Sequence, residues 1–479
     1  MSQIAVIGAG LGGLCTALQL AAKGHEVSIF EKNKIPGGKL WNIRDGGYHF
    51  TYGPSTLTMP ELYLRLLEDA GMSSDRLLYR KLDINHRNLF ADGSKLDAST
   101  DPFAMESQLA TFHHRDAKSW RQYLESVHLI SVLAREVFFR RSFSKPTDYL
   151  SAELLTAFSR VHPFQSMHDF HQRYFQDPRT LMALDRYSTY VGSDPRLTPA
   201  TISMIGDLEY NDGVYRLEGG SIRLVEVLID ALHQLGVRIH LGTNVEQLVT
   251  DNKRIKGIEV DKERVDFDTV VFNGDRLTLG MLLPDKFNMP KTLSLSGFVL
   301  MLGVRKKFPQ LHHHTLFYPK EYFREFDDIF KKGSLPMDPT IYICNTSHSD
   351  EADAPPHSSN LMILVNVPAK IRTTEEWQVY EEHILHVLET RCGLDQLRHH
   401  LEVSHRFTPN DLQTRIGSYA GAIYGKASHG LAAFSRPSLH SHQYKNLYFV
   451  GGGNHPGGGT PMVAIGAKLV SDLIIQEKI

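Results

Sequence analysis

The stretch Ile4-Ala-Val-Ile-Gly8-Ala-Gly10-Leu-Gly12-Gly13-Leu14 limits what this chain can fold into more than any other, because both of its flanks complete one unit. Ile4 to Ile7 read as a buried parallel strand. Gly8, Gly10 and Gly13 then give the G-x-G-x-x-G spacing, and Leu14, Ala17, Leu18 and Ala21 recur at the period of one helix face. Gly24 stands where a helix ends in a left-handed residue. A second strand, Glu26 to Phe30, runs into Glu31, about 20 residues beyond the glycines, where an acid accepts hydrogen bonds from an adenosine ribose. A lone glycine motif is an ordinary turn. Here strand, turn, helix, second strand and terminal acid agree on a nucleotide-binding β-α-β unit, with pyrophosphate expected at the helix N-terminus.

With 479 residues the chain exceeds the size at which a single core stops growing, so at least two domains are expected. Lysine and arginine number 52 against 54 acids, and no long basic run presents itself, so nucleic acid is not an expected partner. Cys15, Cys344 and Cys392 are too few and too scattered for a disulfide framework, which fits a reducing cytosol. The opening residues lack the basic stretch of a signal segment, and no apolar run reaches the roughly 18 residues that span a bilayer. Lying on a membrane stays open.

After Glu31, the run from Lys32 through Gly37-Gly38-Lys39 to Gly53-Pro54-Ser55 is rich in glycine and places the cation of Lys39 where backbone can curl around phosphate or flavin; a plain surface loop is the alternative. Glu61 to Ala70 reads as a helix stopped by Gly71. Residues 85–205 change character, with aromatics, histidines and helical spacing that suggest an inserted, mainly helical segment. Within it, Ile130, Leu133, Val137 and Phe138 share a face beside Arg135, Arg140 and Arg141. This piece reads either as a core helix with a basic edge or as a helix lying in a membrane surface. Ser221 is placed to cap a helix ending near Leu235 and Gly236. Strands follow at Val237 to Leu241, from Val245, at Ile255 to Val260 and at Thr269 to Phe272, the last running into Asn273-Gly-Asp275. Runs such as Gly297 to Leu302 and Leu361 to Val367 suit strands of a second sheet, the floor of a substrate domain. His312, His313 and His314 cannot all face one point from a regular element, so no metal is expected.

The chain closes on a second informative region, Val450-Gly451-Gly452-Gly453-Asn454-His455-Pro456-Gly457-Gly458-Gly459-Thr460-Pro461-Met462-Val463, where a strand enters a glycine-dense turn and then a helix. Its N–H groups suit the electron-rich edge of a flavin, which makes the expected dinucleotide FAD rather than a nicotinamide. The residues expected to contact it are Gly8, Gly10, Gly12, Gly13, Glu31, Lys32, Gly38, Lys39, Gly53, Pro54, Ser55, Val245, Asn273, Gly451, Gly452, Pro461, Met462 and Val463.

Together these residues resemble the bacterial-type carotenoid (phytoene) desaturases over essentially the whole chain. Gly8 to Leu14 with Gly37-Gly38-Lys39 is shared with the wider amine-oxidase-like flavoproteins. The stretch Val450 to Pro461 resembles the desaturase family's own signature, as do Asp177-Pro-Arg-Thr-Leu, Tyr190 to Pro195 and Phe407-Thr-Pro-Asn-Asp411. Thr51 departs from the acid usual after the His49-Phe50 pair, and Asn454 replaces a usual Thr or Ser. The fold so implied is α/β: a Rossmann-type FAD-binding domain (GR2-like flavoprotein) with an inserted α+β substrate domain and a helical, membrane-facing part. The FAD-binding domain would take residues 1–84, 206–290 and 406–479, the helical segment 85–205, and the substrate-domain sheet 291–405.

The resemblance implies desaturation of a long apolar polyene, of phytoene or diapophytoene type, by hydride transfer to flavin, with oxygen or a quinone as electron acceptor. A saturated carbon pair offers no acidic proton, so its oxidation needs an acceptor that side chains do not supply. Such a chain is held by apolar burial, roughly 0.8 kcal/mol per CH₂, so no charged clamp is required. His455, within the signature, is implied as the acid/base group; orienting its loop is the alternative. The rival reaction is a carotenoid oxygenase or ketolase acting on a terminal methyl group. The non-enzymatic rival is a prenyl-lipid-binding escort protein, against which the intact glycines and Glu31 argue. The expected location is cytoplasmic, peripheral at a membrane.

Overall fold

The computed structural model describes residues 2–143, 151–283 and 289–477. A parallel sheet of five strands, in the order Leu447–Phe449, Thr269–Phe272, Gln3–Ile7, Glu26–Glu31 and Arg238–Leu241, gathers three distant parts of the chain. Alternation along its strands sorts the two faces. Ile4, Val6, Val27 and Ile29 pack against the helices Leu11–Ala22, Ile222–Gln234 and Thr460–Gln476. Ala5, Ile7, Phe30 and Phe272 pack instead against the three-stranded antiparallel sheet of Val245–Asp251, Arg254–Val260 and Glu263–Asp266. With both faces covered, Ile4 to Ile7 of this strand read as an unbroken apolar run rather than an alternating one. Ser221 does not cap its helix as expected. Its backbone is already helical, and its hydroxyl donates to the Pro54 carbonyl at 2.9 Å, tying the helix to the glycine-rich run.

A mixed sheet of seven strands forms the second layer. Ser296–Val304 and Ser359–Val367 are adjacent interior strands, buried on both faces. Phe298, Leu300, Ile363 and Val365 meet the helix Thr374–Thr390. The alternate set, Gly297, Val299, Met362 and Leu364, turns toward a cavity. His86–Leu89 and Lys95–Ala98 extend this sheet at one edge, where sequence spacing suggests the onset of helix; their partner His314–Phe317 lies more than 200 residues further on, beyond the reach of any local signal.

The described remainder of 85–205 is mainly helical, built on His114–Leu133. A π-helical turn at Ala134–Phe138 ends that helix. Ile130, Ala134 and Val137 are buried, and Phe138, Phe139 and Phe143 line the cavity. The apolar face of 130–143 is therefore turned inward, against the membrane-surface reading. Its arginines follow suit: Arg135 pairs with Asp212 at 3.0 Å and Arg141 with Glu153. Among the described residues, no helix is long and apolar enough to cross a membrane.

Candidate active site

Two helix N-termini converge on one cavity of about 760 Å³. Gly10 precedes Leu11–Ala22 and Gly459 precedes Thr460–Gln476, and neither end has a side-chain cap. First-turn N–H groups that most helices satisfy with a Ser, Thr, Asp or Asn oxygen are thus left for an anion. The turn between strand and helix closes tightly. A Cβ on Gly13 would stand 2.2 Å from the Gly8 carbonyl oxygen, so only glycine lets the helix approach the strand. The amide of Asn273 donates to the same carbonyl at 3.0 Å, bringing the end of Thr269–Phe272 against the loop.

Glu31 is buried at the end of the second strand. One carboxylate oxygen accepts from the Ala9 N–H at 2.8 Å, and the other from the Asn33 backbone and side chain at 2.9 and 2.7 Å. The acid therefore fixes the glycine turn. Lys39 lies in the cavity wall, where burial pulls its pKa down against the opposing pull of Asp275; its ammonium donates to the Ile423 carbonyl. Arg436, on the same wall, is pushed down to about 10 by burial. Buried cations with few counter-charges favour an anion in the space they face.

Of the residues expected to contact the dinucleotide, Gly10, Gly12, Gly38, Lys39, Gly53, Pro54, Ser55, Asn273, Gly451, Gly452, Pro461, Met462 and Val463 line this cavity together with His455. Gly8 and Gly13 shape the turn behind it. Glu31 and Lys32 stand beside it, Lys32 donating to the Thr414 carbonyl at 3.0 Å, and Val245 is packed among Phe30, Ile258 and Phe272. Sequence reasoning missed Tyr424 and Arg436 on the wall, and also Arg186 and Glu209, which give the cavity a polar patch with Tyr190, the first residue of the stretch to Pro195. Of the missed residues Glu209 was within reach of a local signal, as an acid between Leu208 and Tyr210.

His455 is half-buried, its ring edge-on to Phe143 at 5.0 Å. Burial lowers its pKa to about 4, opposed by the Arg141 and Phe138 backbone, so the imidazole is neutral at pH 7. The histidine run divides: His312 packs against His348 with the rings tilted at 53°, whereas His313 and His314 bring their nitrogens within 4.8 Å of each other and of the Cys344 sulfur. His314 accepts from or donates to the Tyr342 hydroxyl at 2.8 Å. Thr51 is half-buried in the hairpin Trp41–Asp45 to Tyr48–Tyr52, and buried Asn454 donates to the Val450 carbonyl at 3.1 Å.

The glycine walls, the two uncapped helices and the buried cations form a site suited to a dinucleotide. The chain belongs to the flavin-containing amine oxidoreductases, whose family model matches residues 11–475. It is 33% identical to a 1-hydroxycarotenoid 3,4-desaturase from Flavobacterium sp. (strain P99-3), over 99% of each chain. It is 32% identical to a 4,4'-diapolycopene oxygenase from Methylomonas sp., over 99% of this chain and 98% of that one. Among solved structures, an oxidoreductase from Methanosarcina mazei shares the fold at a TM-score of 0.64 and 18% identity, over 99% and 100% of the two chains. Putrescine oxidase bound to putrescine shares it at 0.62 and 13%, over 99% of each. The protein is an FAD-dependent oxidoreductase, and FAD, when bound, supplies the two-electron acceptor that the side chains lack.

Proposed function

We propose that this chain oxidises a carotenoid-type polyene. The observation that carries the reading is the continuity of the cavity, which runs from the glycine walls of the dinucleotide site along Val299, Met362 and Leu364 to the aromatic residues Phe138, Phe139 and Phe158. A long hydrocarbon needs such a lining and little else. The walls hold the chain and exclude water. Gly10, Gly12, Gly38, Lys39, Gly451 and Gly452 would hold FAD, and Glu31 would meet its ribose. His455 would accept the proton: loss of hydride from an allylic carbon leaves a cation whose neighbouring C–H is strongly acidic, so a neutral imidazole with a pKa of about 4 is base enough. The test is to incubate the purified protein with FAD and a panel of polyenes in liposomes and weigh the products. Loss of two hydrogens marks desaturation, and gain of oxygen marks the oxygenase reaction. No change in any polyene would refute the proposal.

The same reading places the protein on a membrane surface, since its substrate dissolves there. Leu155 lines the cavity yet is 60% exposed, which marks the mouth. Phe164 stands edge-on to Phe158 at 5.8 Å and is 79% exposed; Leu197, whose carbonyl accepts from the Gly430 N–H, and Leu431 are 47% and 54% exposed. Apolar side chains ringing an opening fit a lipid surface. This moves the proposed contact from 130–143 to the residues around the mouth.

A further inference from the structure

An apolar cavity that takes a pure hydrocarbon has no use for an ion pair in its wall, yet this one has it. Arg186 donates to the Glu209 carboxylate at 2.7 Å and to the Tyr190 hydroxyl at 2.6 Å, and Tyr190 in turn reaches the other Glu209 oxygen at 3.1 Å. Tyr187 donates to Glu209 at 2.9 Å from behind, and His86, which burial and Arg186 keep neutral, closes the far side. Arg186, Tyr190 and Glu209 all line the cavity. The protein does not use up their hydrogen-bonding capacity. The Arg186 Nε–H and the hydroxyl of Tyr322, another lining residue, are buried without a partner. Buried donors left unpaired in a native wall call for an acceptor.

Resting on the polyene reading above, we infer that Arg186, Tyr190 and Glu209 form a subsite for an oxygenated end of the substrate, a hydroxyl group above all. A hydroxyl both accepts, from arginine or tyrosine, and donates, to the carboxylate, so it satisfies both members of the pair. A carboxylate end would meet Glu209, and a hydrocarbon end would leave the pair facing methyl groups. The rest of the cavity grips the apolar chain and is indifferent to its ends. Discrimination therefore falls on this patch, and sites built to hydrogen-bond a substrate hydroxyl reject the analogue that lacks it.

The test compares two polyenes of equal length in the purified flavoprotein, one ending in hydrocarbon and one in a tertiary alcohol. Binding is read from polyene absorbance and turnover from kcat/KM. One hydrogen bond to a charged partner gives an expected preference for the alcohol of about 10- to 100-fold. Removing one charge alone would strand the other, so the variant is Arg186→Met with Glu209→Gln, checked for flavin content; its preference should fall toward one. Should that variant fail to hold flavin, Tyr190→Phe replaces it, with a smaller fall expected. Equal binding of the two polyenes by the unaltered protein overturns the subsite and leaves the polyene reading intact. A preference that survives the substitutions also overturns it. Failure to bind either polyene refutes the polyene reading itself, and the subsite with it.

Discussion

Gly10→Val separates loss of cofactor from loss of fold. A Cβ at Gly10 meets only the side-chain amide of Asn273, at 3.0 Å, and the Gly38 Cα, at 3.8 Å, while the backbone is extended with φ −75°. The fold should therefore lose about 1 kcal/mol, the low end of overpacking and close to the cost of a poor helix N-cap. The valine methyls, however, stand on the cavity wall at an uncapped helix end. If they displace two charge-assisted hydrogen bonds to pyrophosphate, at roughly 1.5–3 kcal/mol each, flavin affinity drops by about 10² to 10⁴-fold. Gly13→Ala is the contrast: its Cβ would lie 2.2 Å from the Gly8 carbonyl oxygen and 3.2 Å from Val6 Cγ1, so backbone must move and stability falls by about 3 kcal/mol or more. The assay is flavin absorbance per chain together with thermal unfolding of the stripped proteins. Full flavin content in Gly10→Val, or a Gly13→Ala protein as stable as the original, would refute the assignment of these glycines.

His455→Ala should keep its flavin, since the phosphate contacts are expected from the N-terminal glycine turn and not from this side chain, yet lose about 10² to 10⁴-fold in conversion rate if the imidazole takes the proton; an unchanged rate at matched flavin content leaves it a packing role against Phe143. Stability should fall as pH drops from 6.5 toward 4. His455 and His313 are lowered to about 4 by burial, and His86 and His314 further, so the unfolded chain binds more protons across that window and the native state loses about 2 kcal/mol by pH 5 for His455 alone; denaturant titrations at pH 7 and pH 5 measure it. Phe164→Glu with Leu431→Glu should abolish flotation with liposomes, while reversing Arg135, Arg140 and Arg141 to Glu should leave it, because the segment carrying them turns its apolar side chains inward. Flotation unaffected by the first pair removes the mouth as the contact.

How legible the molecule was in its sequence followed from distance along the chain. The unit from Gln3–Ile7 to Glu31 is local, so spacing alone gave its strands, its helix and the glycines that shape the turn. The terminal strand, turn and helix were legible for the same reason. Ser221 misled because a hydroxyl suited to capping found the Pro54 carbonyl 167 residues away. The stripe at Ile130, Leu133 and Val137 declared a buried face without saying what covers it, and packing on the cavity side answers that. Arg186 and Glu209 sit 23 residues apart on separate turns, and nothing periodic links them until the fold does.

Anaerobic mixing of the flavin-loaded protein with a polyene, followed by absorbance, tests the central claim most directly, because it isolates substrate oxidation from the later return of electrons to an acceptor. The family includes enzymes named for amines, and the apolar lining around Val299, Met362, Leu364 and Phe158 argues that this cavity serves a hydrocarbon chain instead. The expected result is bleaching of the oxidised flavin band by the polyene and none by putrescine. Bleaching by the amine with an unaltered band in the presence of polyene would contradict it.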